Sequence, residues 1–233
     1  MKKTRFLALT LVVAIMLIGA GYAQWTDQLV MANTVTTGEM NVEFVEKCGY
    51  PSWWACERDG KYITGGIDEK DKKKMSVSFE NLYPGSFVAY DALIQNKGTI
   101  PAVFDNAVVE FDASSSPELK GKLHFYMAIS HYDVDGKYIP CSGRKVAAKS
   151  LNELERKLNR LLKEIRLEPG EYISFDIPEE FKEDAAKIIP GYDVNSNNCA
   201  YFWLPSSVTN EDNVENKTVK FTMTINWKQH NVQ

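Results

Sequence analysis

From Val219 to Lys228 the chain alternates without a break. Val219, Phe221, Met223, Ile225 and Trp227 are apolar, and Lys220, Thr222, Thr224, Asn226 and Lys228 are polar. A period of two is what a strand with one buried face requires. The same period recurs upstream in Met40, Val42 and Phe44 and again in Met75, Val77 and Phe79. Phe87 to Gln95, Ile100 to Phe111, Leu123 to Tyr132, Tyr172 to Ile177 and Ala200 to Leu204 read as further strands, several rich in aromatic residues. Turn signals separate them: Pro84-Gly85, Asn96-Lys97-Gly98, Asp135-Gly136 and Pro169-Gly170. Short strands joined by turns can bury their apolar faces only against one another. The expected fold is therefore mainly β, a two-sheet, jelly-roll-like β-sandwich with one or two peripheral helices.

One segment breaks the period. Ser150 and Glu153 are spaced as a capping box, and Leu151, Leu154, Leu158, Leu161, Leu162 and Ile165 then share one helical face. The pattern predicts a helical insertion over about 150–166, packed on the outside of a sheet, with Arg156, Lys157, Arg160 and Lys163 on its other face. A second short helix is expected within 178–189. The stretch 48–74 holds Pro51, Gly60, Gly65 and Gly66 and closes on a mixed charge run, Asp68 to Lys74, which reads as a solvated loop.

The N-terminus places Lys2, Lys3 and Arg5 before an apolar run from Phe6 to Ala20. Basic residues ahead of an apolar core are the pattern of a secretory signal, and Gly21 and Ala23 are small residues spaced for a signal peptidase. The expected cut lies between Ala23 and Gln24, giving a signal peptide at 1–23 and a single β-sandwich domain at 24–233. A retained anchor is the alternative, because Phe6 to Ala23 is 18 residues with only Thr10 polar, at the short end of what spans a bilayer. Gln24 to Val35 reads as an extended strand with Trp25, Leu29, Met31 and Val35 on one face, which Asp27 and Asn33 interrupt.

Removing Lys2, Lys3 and Arg5 from 27 basic residues leaves 24 against 31 acidic ones, a net charge of −7. An acidic surface without a basic stripe argues against nucleic acid as a partner. Four cysteines, Cys48, Cys56, Cys141 and Cys199, all follow the expected cut. An even count in an exported chain points to disulfides, with Cys48–Cys56 and Cys141–Cys199 preferred among three pairings. A four-cysteine zinc site is the alternative, although no C-x-x-C pair is present.

Motifs for chemistry are scarce. His124, His131 and His230 form no H-E-x-x-H, and seven residues along one strand put His124 and His131 on opposite faces. No G-x-S-x-G, P-loop or G-x-G-x-x-G occurs. Asp193-Val194-Asn195-Ser196-Asn197 opens like a calcium loop, but Asn198 stands where glycine is needed and Leu204 where a bidentate glutamate is needed. Glu179, Glu180, Glu183 and Asp184 read as solvated carboxylates. Asn216-Lys217-Thr218 is a glycosylation sequon. The expectation is a protein that is not an enzyme, with no catalytic residues, no metal and no cofactor. Trp53 and Trp54, in an aromatic loop with Tyr50, are the candidate contact platform for a glycan or peptide, or else a loop folded back on the core.

Several short motifs, in order, carry a resemblance. Gly19-Ala20-Gly21-Tyr22-Ala23-Gln24-Trp25-Thr26-Asp27 is similar to the cleavage region of proteins processed by the SipW-type signal peptidase. Asn81-Leu82-Tyr83-Pro84-Gly85-Ser86 leads into Asn96-Lys97-Gly98-Thr99-Ile100-Pro101-Ala102, which resembles the core of the TasA/camelysin family. Leu167-Glu168-Pro169-Gly170-Glu171 resembles that family's second turn, and Trp227-Lys228-Gln229 its terminal strand. The resemblance implies a jelly roll, export, and assembly into extracellular biofilm matrix or surface fibres. It also implies a dedicated signal peptidase, partners that are other copies or other matrix proteins, and no membrane association after cleavage. Camelysin-like members have been called metalloproteases, but no residues here supply that site. The four cysteines and the 48–74 stretch depart from the family pattern. On this reading Trp25, Leu29, Met31 and Val35 are the pegs of a donor strand that completes the sheet of the next subunit.

Overall fold

The computed structural model describes residues 2–23, 37–45, 53–55, 62–140, 142–192, 194 and 199–229. The chain divides into two compact units, Met1–Thr37 and Gly38–Gln233. In the first, helix α1 runs Lys2–Ala23, about 33 Å at 1.5 Å per residue, and its side chains at 3–17 are exposed. No helix among the residues with described side chains is long and apolar enough to cross a membrane. The α1 side chains beyond Leu17 lie outside that set.

The second unit is the β-sandwich expected from the alternation. Its described strands are β1 (Val42–Val45), β2 (Trp53–Ala55), β3 (Ile63–Ile67), β4 (Lys74–Phe79), β5 (Phe87–Tyr90), β6 (Leu93–Asn96) and β7 (Ala102–Phe111). After helix α2 (Pro117–Lys122) they continue with β8 (His124–Tyr132), β9 (Arg144–Ala148), β10 (Arg166–Leu167), β11 (Tyr172–Ser174), β12 (Ala200–Trp203) and β13 (Val219–Gln229). Every pairing among the described strands is antiparallel. The smaller sheet has the order β10-β7-β13-β4-β3.

The larger sheet is built in columns around β8. Strand β9 lies along one edge of β8. Along the other edge β12 pairs with its first half and β11 with its second. Beyond these, β5 and β6 also lie end to end, parted by Asp91-Ala92, and then β2 and β1. Between β11 and β12 the chain leaves the sheet, forms helix α4 (Lys182–Ile188), and returns.

Alternation decides which side chains meet. Phe125, Met127 and Ile129 of β8 join Phe221, Met223 and Ile225 of β13 in the core between the sheets. Phe79 of the smaller sheet and Phe202 of the larger approach to 5.0 Å between ring centroids. The other face of β8 is buried too. Tyr126 and Ala128 form a second cluster with Ile177, Ala185, Ile189, Cys199, Tyr201 and Trp203, beneath α4. Strand β8 is thus buried on both faces, which is why it reads as a nearly continuous apolar run.

Three expectations need correction. The insertion expected over about 150–166 is shorter: a 3-10 turn, Leu151–Glu153, leads into helix α3, Leu154–Leu162. Ile165 lies on the helical pattern but outside the helix, because Glu164 takes a left-handed φ of 64° and the chain turns into β10. The capping box is also incomplete: Ser150 Oγ accepts from Asn152 N–H at 3.2 Å, while the Glu153 carboxylate pairs with Arg156. Finally, the stretch 48–74 is not wholly loop. Strands β2 and β3 lie within it, so Trp53 and Trp54 stand on a strand, opposite Tyr90 and Ala89.

Candidate assembly surface

The turns that carry the family resemblance converge on one buried side chain. Asn96 is fully buried at the end of β6. Its Nδ2 donates to the carbonyls of Ile100 at 2.9 Å and Leu167 at 3.0 Å, and its Oδ1 accepts from Gly98 N–H at 3.0 Å. Its backbone N–H donates to Glu171 O at 3.0 Å, and its carbonyl accepts from Gly170 N–H at 2.8 Å. A buried amide with this many partners is well satisfied, and it ties the two motif turns into one corner. Gly170 sits there at φ 86°, and a side chain on it would press on Val134. Glu171 fastens the corner to β8: its Oε2 accepts from Glu168 N–H at 2.9 Å and lies 3.1 Å from His131 Nε2.

The same corner clamps the chain where it joins the sandwich. Asn41 O accepts from Lys97 N–H at 2.7 Å and from Gly98 N–H at 3.1 Å, and Glu39 O accepts from Thr99 N–H at 2.8 Å. Thr99 Oγ1 accepts from Glu39 N–H at 2.9 Å. A Cβ on Gly98 would collide with the Glu39 carbonyl and stand 2.6 Å from the Asn41 amide nitrogen. Glycine is needed here for close approach of two backbones. Lys97 Nζ adds an ion pair to Glu43 Oε1 at 2.7 Å. The strand that follows, β1, is an edge strand paired to β6.

At the far side of the sandwich the outer edge of β7 is covered by a helix. Only its first residues pair with a strand, β10 at Ala102 and Val103, and Phe104 N–H donates to Ile165 O at 2.9 Å. Further along, Asn159 Oδ1 accepts from Ala107 N–H at 3.0 Å and Asn159 Nδ2 donates to Ala107 O at 2.7 Å. Glu155 Oε2 accepts from Val109 N–H at 2.9 Å. Leu154, Leu158, Leu161 and Leu162 of α3 are buried in the main core. The helix packs against both β7 and β9, and the Arg144 guanidinium at the start of β9 donates to Lys163 O.

The residues singled out from sequence fall unevenly on this frame. Trp25, Leu29, Met31 and Val35, with Gln24, lie outside the described residues, as do Cys48, Cys56, Cys141 and His230. Ala23 is the last residue of α1. Cys199 is buried beside β12 in the second cluster. His124 packs edge-on against Trp203, and burial, then Lys149, pushes its pKa down. Among the described residues no three His, Cys, Asp or Glu side chains are grouped to hold a metal. Of the calcium-like stretch only Val194 is described, and it is exposed. Of the four carboxylates at 179–184, Glu179 pairs with Lys182, Glu180 accepts from Tyr138, and Asp184 pairs with Lys145 and accepts from Tyr126. Sequence reasoning missed Asn96, Glu155 and Asn159. Asn96 carried a signal, an asparagine ahead of Lys97-Gly98 at a strand end, whereas Glu155 and Asn159 lie off the leucine face and carried none. The chain matches no family model, no curated protein and no solved structure.

Proposed function

We propose that this is a secreted structural protein that assembles into extracellular matrix or surface fibres by donating an N-terminal strand to the next copy. The supporting observation is the clamp at Gly38–Asn41. Four hydrogen bonds from the Asn96 corner hold Glu39 and Asn41, where the chain enters the sandwich. An open sandwich offers edges that recognise any extended chain through main-chain hydrogen bonds. Handing a strand to a neighbour head-to-tail gives an open filament rather than a closed ring. The basic and apolar pattern of 1–23 supports export with removal of that segment.

Negative-stain microscopy of the purified protein tests the reading. Filaments are expected, and deletion of Gln24 to Met31 is expected to leave a folded monomer. Monomers alone at every pH and concentration would count against fibres, and a deletion variant that still makes fibres of normal morphology would rule out strand donation. A surface binding module is the second reading, favoured by two adjacent tryptophans, Trp53 and Trp54, on the strand β2. Protection of either indole by an oligosaccharide would support it over the first.

A further inference from the structure

A cleft of about 290 Å³ lies between the turn 81–85, which follows β4, and the segment 209–216, which precedes β13. Its floor is apolar, because Leu82 and Val214 are buried in the main core. Tyr83 lines it with a ring that is 46% exposed and stands edge-on to Tyr62, 5.8 Å between centroids. Asn81, Asn210 and Asn216 give it an exposed amide rim. Among the described residues, no hydrogen bond engages these three side-chain amides.

Both sides of the cleft are preset. Tyr83 N–H donates to Ser86 Oγ at 3.1 Å, and Ser86 N–H donates back to Tyr83 O at 2.9 Å. Opposite, Thr209 N–H donates to Asp212 Oδ2 at 2.9 Å, and Lys122 Nζ holds Asp212 Oδ1 at 2.7 Å. Asn81 and Asn216 take left-handed φ of 55° and 53°, a conformation asparagine adopts more readily than most residues. Walls fixed in advance lose little entropy when the cleft fills.

The lining narrows the ligand. An aromatic ring above an apolar floor packs against C–H groups, and an amide presents a donor and an acceptor together. A pyranose matches both, with a face of axial C–H groups and an edge of hydroxyls that donate and accept. An ammonium ion only donates, so it would leave the amide N–H groups unmatched. Glu215 is the one charged residue in the described lining, and its carboxylate repels phosphates and uronates. The volume is at the low end for ligand pockets, which suits one ring rather than several.

We propose that this cleft is a subsite for one neutral pyranose unit of a saccharide, stacked on Tyr83 and hydrogen-bonded by Asn81, Asn210 and Asn216. The site is independent of strand donation and separate in sequence from Trp53 and Trp54.

The test follows the amide NMR shifts of the purified protein, with its intact mass showing Asn216 free of glycan, during titration with a β-linked glucose tetramer. A dissociation constant of roughly 1 mM is expected for a single ring, with shifts confined to the two sides of the cleft. Tyr83→Ala is expected to weaken binding about tenfold and Tyr83→Phe to leave it within about twofold, because stacking needs the ring and not the hydroxyl. Asn210→Ala is expected to weaken it about fivefold. No shift at either side of the cleft with tetramer about tenfold above that constant overturns the proposal, and so does an affinity that Tyr83→Ala leaves unchanged. Shifts centred on Trp53 and Trp54 overturn it too, and pass saccharide binding to that strand. A glucuronate tetramer that binds as tightly as the glucose one refutes a neutral ligand. If a variant does not fold, the shift map of the wild type decides alone.

Discussion

Helices α3 and α4 are both short insertions between strands, yet they hold to the sandwich in different ways. Helix α3 sends four leucines into the core between the sheets and two polar side chains onto a strand edge. Helix α4 buries Ala185, with Ile189 just beyond its end, in a small cluster on the outer face of the larger sheet. Its polar attachment is Asp184, which accepts from Tyr126 Oη at 3.2 Å and pairs with Lys145 Nζ at 2.6 Å. The difference teaches that a helix at a seam is built into the core, whereas a helix on a face is a cover over a sheet already formed. Only the first stands where a strand could stand.

The comparison is broken most directly by truncating each anchor. Leu158→Ala is expected to cost about 2–5 kcal/mol, with the value in the upper half because the site lies between two sheets and collapses poorly. Ile189→Ala is expected nearer the lower end, about 2 kcal/mol. Urea denaturation measures both, and equal losses would erase the distinction. Native-state hydrogen exchange sharpens it: α4 amides are expected to open below the global unfolding free energy, and α3 amides to open close to it. Matching opening energies would show one cooperative unit.

The smallest effect concerns pH. The hydrogen bond from Lys145 holds the Asp184 carboxyl below its usual range, with Tyr126 adding a weaker pull. A depressed folded pKa means the contribution is present above the unfolded carboxylate range, about 4, and is lost as pH falls through the lower folded value. The attachment of α4 is therefore expected to loosen in acid. Asp184→Asn should cost less than about 1 kcal/mol at neutral pH, because the pair is partly exposed, and should flatten the acid limb of the stability curve. An unchanged acid limb would remove Asp184 from the account.

Strands with one-sided burial were legible. The period of two in β13, and in β4 as far as Val77, survives into buried and half-exposed alternation. Strand β9 was not legible, because Arg144-Lys145-Val146-Ala147-Ala148 has little alternation of its own and owes its state to pairing with β8. The break between β5 and β6 was hidden for a related reason: it falls at Asp91-Ala92, across from the point where the chain leaves β11 for α4. The end of α3 was misplaced because no glycine or proline marks it, only the left-handed turn at Glu164. At the candidate site, the role of Glu155 and Asn159 depends on which edge the helix meets, a fact of tertiary structure that a helical period does not contain. The corner at Asn96 was visible as motif spacing, but its burial was not.

The clamp at Gly38–Asn41 also has a mechanical meaning. Tension applied at Gly38 enters the sandwich at the short ladder between Glu39–Asn41 and Lys97–Thr99 before it reaches β1. Pulled along the strand axis, those hydrogen bonds share the load in shear. Pulled away from the sheet, they break in succession, like a zip. Because it precedes β1, this ladder is the first link to take the load, and its strength sets how much tension β1 meets before the sandwich itself begins to open.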